Sequence, residues 1–471
     1  MASSAKSYWL WLLAAISLVG YTLLPIFFPL LGQFDSVPLH DIRTFAPSFG
    51  GGLAYGLLFL YLYAVYAIAW RHVANRGASV WYILAAALLF CLPLLLTYPI
   101  NATDVFRYFI RGRVTTVYGE SALLVAPSAF PQDPYLPLAG EWAGNTSPYG
   151  PLWEVVAAVV TIVSRQNLLS GLVLFKSLAA VGHLGIGALI WQAGKELPQK
   201  QRAANTLLWT WNPALLFMFA IDAHNDALMI FWLVMGTILM KRRPLFGFLI
   251  AVLGALIKPI ALLALPFLFI GHWRKLYTLS TRLRYLLAAA AGTLILALVT
   301  FAPFGSPLEL GMRLLQEASD AVGFSPGVLI ILLAQRLGST VSVDVMTDVG
   351  ATLGSLLFLV LAVLLLWRVW RGMQPLRGVA FVFAAYVATA LTFRIWYSTW
   401  PFAWLILSGD KNRRALSAGF WFLLTAHLSL LIYGHVRAGI LAGNFLVAHL
   451  IGVPFTFILP VILAYRYPLR E

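Results

Sequence analysis

Asp104 sits among three arginines in the stretch Asn101-Ala-Thr-Asp-Val-Phe-Arg-Tyr-Phe-Ile-Arg-Gly-Arg113, directly after a long apolar run. A carboxylate beside Arg107, Arg111 and Arg113 has two uses. It accepts a proton within a field that attracts anions, or it caps a helix, as Asp commonly does. A second polar group, Asp222, His224, Asn225 and Asp226, lies between two short apolar segments. Such a turn binds a polyol or a cation, or is simply hydrated. Lys258, in Ala255-Leu-Ile-Lys-Pro259, and Arg394, in Phe393-Arg-Ile-Trp-Tyr397, are cations in apolar surroundings. An ammonium there calls for an anion, the phosphate of a lipid carrier being a natural one, and a guanidinium fork suits phosphate oxygens bidentately. Lys176 and His183 are further polar groups inside an apolar run. A structural role is expected for both, with Lys176 paired to Glu154.

These residues need a scaffold, and composition says which. Hydrophobic residues make up 61% and charged residues 10% of the 471, against roughly 45–50% and about 25% in soluble domains. Many apolar runs approach the length of a bilayer core. The chain reads as an all-α, polytopic membrane protein in a single domain, 1–471. The first apolar run has no small-residue cleavage site behind a short core and reads as a retained helix. The lone cysteine, Cys91, excludes an internal disulfide.

Charge then orients the chain. Lys and Arg gather in short connectors: Arg71 and Arg76; Lys195, Lys200 and Arg202; Lys241, Arg242 and Arg243; Arg274, Lys275, Arg282 and Arg284. The pattern continues with Arg368, Arg371 and Arg377, then Lys411, Arg413 and Arg414, then Arg466 and Arg470, with Lys6 at the start. The accompanying acids are Glu196, Asp410 and Glu471. By the positive-inside rule these connectors and both termini are cytoplasmic. The net charge of +15 is then a surface for anionic lipid head groups, with no nucleic-acid site. About fourteen spans follow (12–14): 7–32, 53–70, 79–100, 168–193, 205–220, 226–240, 244–257, 260–271, 285–304, 348–367, 378–393, 398–409, 415–433 and 441–464. Several are short, as broken helices around a cavity would be. The stretches 150–163 and 325–337 are expected to be re-entrant or interfacial. The large loop 101–148, the turn 221–226, Lys258-Pro259, the loop 305–325 and 393–397 then share the external face.

At 100° per residue, Asp104, Arg107, Tyr108, Arg111 and Thr115 fall on one arc, with Val105, Phe106, Phe109, Ile110, Val114 and Val117 opposite. The pattern predicts an amphipathic helix lying on the outer surface, with Arg113 snorkelling from its apolar face. Tyr149 and Trp153, in Ser147-Pro-Tyr-Gly-Pro-Leu-Trp153, are aromatic faces suited to a sugar ring or to an ordinary interfacial belt. No phosphate-binding glycine loop or zinc spacing occurs in the required context. There is no room for a soluble nucleotide-sugar domain, so an activated substrate must arrive in the lipid.

Asp104-Val-Phe-Arg-Tyr with Arg111-Gly-Arg113, Asp133-Pro-Tyr135, Ser147-Pro-Tyr-Gly-Pro-Leu-Trp153, Asn212-Pro213 leading to His224-Asn-Asp226, Lys258-Pro259 and Trp396-Tyr397 together resemble the GT-C superfamily. Within it the chain is most similar to bacterial polyprenol-phosphate-mannose-dependent mannosyltransferases. The resemblance runs in order from about residue 100 to 400. It implies a GT-C-like fold, a bacterial plasma-membrane location, and a catalytic base in the first large external loop, at Asp104. Two departures stand out: Asp104 has no adjacent second acid, and three spans precede the loop where many members have one. Asp35 and Asp41, in the earlier external loop, therefore stay rivals for the base. The expected chemistry moves a hexose, mannose by the resemblance, from a polyprenyl-phosphate carrier to a glycolipid or cell-envelope glycan acceptor, with inversion. Asp104 is the base. Lys258, Arg394, Arg107 and Arg111 face the departing phosphate, while His224, Asn225 and Asp226 hold sugar hydroxyls above Tyr149 or Trp153. No metal or other cofactor is required. A lipid-linked sugar flippase or small-molecule transporter is the rival; it would place its polar groups near the midplane between matched halves, which this chain does not display.

Overall fold

The computed structural model describes residues 5–317, 323–409 and 413–469. Asp410, Lys411, Arg470, Glu471 and the segment 318–322 of the expected loop 305–325 lie outside the described residues, as does the Lys6 side chain. Among the described residues the chain is helical, with one isolated antiparallel bridge between Pro29 and Thr97. It divides into two compact units. The first comprises 1–45, 57–262 and 280–317; the second comprises 46–56, 263–279 and 318–471.

Among the described residues, seven helices are long and apolar enough to cross a bilayer: Tyr8–Phe27, Phe49–Arg76, Leu168–Ala193, Leu279–Phe301, Val343–Trp370, Arg413–Gly439 and Phe445–Arg466. A bent pair, Pro213–Ile221 with Asp226–Leu239, whose axes turn through 114°, is apolar enough to join them as a broken span or a re-entrant loop. The protein is a multi-pass membrane protein. The remaining apolar helices are shorter: Val80–Leu95, Pro151–Val163, Pro244–Ile257, Pro259–Trp273, Pro326–Arg336 and Pro375–Thr389. The expected span 205–220 breaks at Trp211-Asn212-Pro213. Pro213 cannot donate to the preceding turn, and the Asn212 side chain accepts from the Ala214 N–H at 3.0 Å, starting a new helix. The expected span 398–409 likewise becomes a 3-10 turn, Ile395–Thr399, and a short helix, Phe402–Leu407, separated at Pro401.

Inside the first unit, Asp226–Leu239 and Pro244–Ile257 pack backbone to backbone. A Cβ on Gly236 would stand 2.5 Å from both the Ala251 nitrogen and the Gly247 oxygen, so only glycine allows that approach. Gly112 does the same for Asp104–Thr116 against Pro151–Val163, where a Cβ would lie 2.1 Å from Thr161 Oγ1 and 2.6 Å from the Ala157 oxygen. The second unit has its own buried pairings. The Tyr55 hydroxyl and His427 Nε2 are 2.7 Å apart, and Phe324 stacks on Tyr433 with ring centres 3.7 Å apart.

Candidate active site

The helix Asp104–Thr116 does not lie on a surface. Val105, Phe106, Tyr108, Phe109, Ile110, Arg111, Arg113 and Val114 are all buried, so both its arcs are covered. The expectation of a surface-lying amphipathic helix is corrected, because Gly112 lets Pro151–Val163 close over one side. Arg113 does not snorkel either. Its Nε donates to Asp133 Oδ2 at 2.9 Å and its Nη1 to Gln166 Oε1 at 3.2 Å, and the Tyr118 hydroxyl donates to the same carboxylate at 2.9 Å. A buried guanidinium is tolerated when its counter-charge is built in.

Asp104 occupies the first helical position behind Thr103, and no side-chain capping bond is made there. Its carboxylate points instead into a cluster and is 5% exposed. Oδ1 accepts from the Tyr149 hydroxyl at 2.9 Å and lies 3.3 Å from Arg107 Nη1. Burial pushes this carboxyl upward, but the positive charge of Arg107 and Lys258 and the tyrosine hydrogen bond outweigh it, with His224 adding to this only when protonated. The group is held well below the usual carboxylate range. Arg107 also donates to Thr103 Oγ1 at 3.3 Å and stacks over the Trp142 ring at 4.9 Å, a partner nothing in the local pattern announced.

His224, Asn225 and Asp226 arrive from the break in the bent pair. A π-helical turn, Phe217–Ile221, precedes it, and the His224 N–H donates back to the Met218 oxygen at 3.0 Å. Ala223 adopts φ 58°, the left-handed region that alanine seldom enters, which turns the chain sharply. Asp222 accepts from the Asn101 N–H at 3.2 Å and from its amide nitrogen at 2.9 Å, tying this turn to the segment that leads into Asp104. That tie was not foreseen; a loop carboxylate and a distant asparagine share no sequence period. Lys176 donates to the Thr97 oxygen and lies near Asp222, so its expected pairing with Glu154 is corrected. Glu154 instead accepts from the Ser147 hydroxyl at 2.5 Å.

Lys258 bridges both oxygens of Asp226, at 3.0 and 2.8 Å, and His224 Nδ1 lies 3.9 Å from the same carboxylate. The lysine is thus engaged by protein and not an open anion ligand, and Asp226 is its counter-charge. Its ammonium lies 5.9 Å from the Tyr149 ring centre. Asn225 is buried, and neither its amide oxygen nor its amide nitrogen has a partner among the described residues. Arg111 donates to the Thr146 oxygen at 2.9 Å, while its Nε and Nη1 have no partner among the described residues. Tyr149 and Trp153 are both buried, Trp153 packing edgewise on Tyr108 with ring centres 4.7 Å apart.

The first unit therefore gathers Asp104, Arg107, Arg111, Tyr149, Trp153, His224, Asn225, Asp226 and Lys258 from positions far apart in the chain. Arg394 lies in the second unit, half-buried. Asp41 is exposed and accepts from the Arg43 and Thr44 N–H groups at 2.8 and 3.0 Å and from the Arg43 guanidinium, so it starts a helical turn. Asp35 is exposed.

Residues 29–274 match a family model described as Alpha-(1->6)-mannopyranosyltransferase, N-terminal domain. The Alpha-(1->6)-mannopyranosyltransferase A of Mycobacterium tuberculosis is 27% identical over 404 residues, covering 81% of this chain and 76% of the relative. The protein of the same name in Corynebacterium glutamicum is 26% identical over 180 residues, 37% of this chain and 36% of the relative. An Alpha-(1->6)-mannopyranosyltransferase B of that organism is 24% identical over 147 residues, 31% and 24% respectively. No solved structure matches the chain. The matched model spans the entire site cluster from Asp104 to Lys258, over more than half of the sequence, and the chain belongs to this GT-C-type mannopyranosyltransferase family.

Proposed function

We propose that the protein is an inverting mannosyltransferase that takes mannose from a polyprenyl-phosphate carrier and adds it to a glycolipid or cell-envelope glycan acceptor at the outer face of the plasma membrane. The observation that carries this reading is a buried carboxylate, Asp104, kept ionised within a cationic field. A general base must be unprotonated and close to where a hydroxyl will sit, and this one meets the first condition by construction. The linkage in the relatives' names, α-(1→6), makes the attacked group a primary C6 hydroxyl. Asp104 removes its proton as the oxygen attacks the anomeric carbon. The bond to the phosphate oxygen breaks through an oxocarbenium-like state, and inversion to an α product requires a β-configured donor.

Arg107 and Arg111 supply the positive charge for the phosphate, whose negative charge grows as the bond breaks. Asn225, with both amide atoms unengaged among the described residues, is the group suited to neighbouring sugar hydroxyls. The basic connectors, placed inside by the positive-inside rule, put the Asp104 loop outside. Purified wild type and Asp104→Asn, given polyprenyl-phosphate mannose and a membrane glycolipid extract, test the proposal. Transfer by wild type with a loss of about 10²–10⁴-fold in the variant is expected. A folded variant with full activity would move the base elsewhere, Asp35 first, and a wild type that transfers no lipid-linked sugar would bring the transporter reading forward.

A further inference from the structure

Both groups that engage the Asp104 carboxylate meet the same oxygen. The Tyr149 hydroxyl donates to Oδ1 at 2.9 Å and Arg107 Nη1 stands 3.3 Å from it, while Oδ2 receives no hydrogen bond from a described residue. An aspartate carboxylate turns readily about its last torsion, since that rotation has broad minima. Anchoring one oxygen from two directions stops the turn and presents the other oxygen in a fixed direction.

Tyr149 is itself held firmly. Its N–H donates to Ser147 Oγ at 3.3 Å, and Ser147 donates to the buried Glu154 at 2.5 Å. The next residue donates from Gly150 N–H to the Ile257 oxygen at 3.0 Å, and a Cβ at 150 would lie 2.2 Å from the Leu256 oxygen. The ring packs edgewise on Tyr108 with centres 5.3 Å apart. The Ser147-Pro-Tyr-Gly-Pro run thus docks a tyrosine on the backbone that leads to Lys258 and aims its hydroxyl across at the carboxylate. Tyr149 is packed edgewise by Tyr108 and bonded through its hydroxyl to Asp104. It is well placed to orient a base.

We infer that Tyr149 is a positioning residue for the transfer, anchoring Oδ1 of Asp104 together with Arg107 so that Oδ2 is the oxygen that takes the acceptor proton. This rests on the proposed mannosyl transfer. In that step the acceptor O–H proton passes to Oδ2, and the hydroxyl oxygen's electron pair forms the bond to the anomeric carbon. The bond from that carbon to the phosphate oxygen breaks, its pair leaving on the lipid phosphate.

The test uses the full chain in detergent, as wild type, Tyr149→Phe and Ser147→Ala. Transfer from polyprenyl-phosphate mannose to a glycolipid extract is followed across pH. In parallel, carbodiimide modification of Asp104 is read by peptide mass spectrometry, because only the protonated carboxyl reacts. Hydrogen bonds to charged groups are worth about 1.5–3 kcal/mol, so Tyr149→Phe should lower kcat roughly ten- to hundredfold with donor KM within about twofold. The acid limb of the kcat profile and the onset of Asp104 labelling should both move to higher pH. Ser147→Ala should move both the same way by less, and it carries the test if the phenylalanine variant does not fold. Wild-type kcat and labelling in Tyr149→Phe would overturn the inference. So would a raised KM with kcat intact, which would make the ring a substrate contact. A wild type that transfers nothing would sink the proposed function, and the labelling would still decide whether Tyr149 holds the carboxylate.

Discussion

Asp104 stays ionised in a buried place because two cationic neighbours and a phenol outweigh the loss of water. The consequence for pH has a definite sign. Its folded value lies below the unfolded one of about 3.9, so the group stabilises the fold above that pH and the contribution is lost as pH falls through the folded value. We expect kcat/KM to stay flat on its acid side from neutrality to about pH 5, and the melting temperature in detergent to fall only below about pH 4. A base that titrates between pH 6 and 7 in the rate profile would contradict this. The Lys258–Asp226 pair makes a second residue-scale prediction. Removing one partner of a buried pair strands the other, at a cost of about 3–5 kcal/mol. Lys258→Met should therefore lower thermal stability sharply, and adding Asp226→Leu should restore most of it. Equal stability in the single and double variants would show that the pair is not coupled.

At the scale of elements, two close approaches position the cluster. Gly112 brings the Asp104 helix onto Pro151–Val163, and Gly150 brings the Tyr149 turn onto the end of Pro244–Ile257. Because a Cβ at 112 would meet Thr161 Oγ1 at 2.1 Å and the Ala157 backbone at 2.6 Å, Gly112→Ala must push the helices apart. A loss of about 1–3 kcal/mol is expected, as for other overpacked sites, with transfer falling as well because Asp104 moves with its helix. Thermal melting beside an activity assay checks both. The bend at 222–225 is a third positioning device: Ala223 at φ 58° is strained, so Ala223→Gly should fold at least as stably as wild type. A melting temperature lowered by that change would mean the methyl group packs more than it strains.

For the whole molecule, the proposed orientation makes accessibility predictions. Cys91 is buried, so Cys91→Ser gives a background for single cysteines. Glu141→Cys, at an exposed site in the 101–148 loop, should react with an impermeant maleimide on intact cells. Lys200→Cys, exposed in a basic connector, should react only after the membrane is opened. The reverse pattern would invert the protein and remove the outer-face assignment. The long helices Val343–Trp370 and Leu279–Phe301 present mostly exposed apolar surface, as lipid-facing elements do.

Membrane class, the large polar loop after the third apolar run and the members of the candidate cluster were legible in the sequence. Hydropathy, charge asymmetry and a carboxylate in apolar surroundings are local properties that a chain displays before it folds. The places where those runs break were not, because apolar runs of similar composition continue or stop according to where Asn212-Pro213, Pro259 and Pro401 interrupt them. The pairings were not legible either. That Tyr149 gives a hydroxyl to Asp104, that Lys258 is engaged by Asp226, and that Arg113 finds Asp133 depend on directions and distances between segments far apart in the chain. Those are decided by which backbones can touch. Residue type names the chemistry a side chain is able to do, and only the packing that glycine permits at 112 and 150 decides which partner it meets.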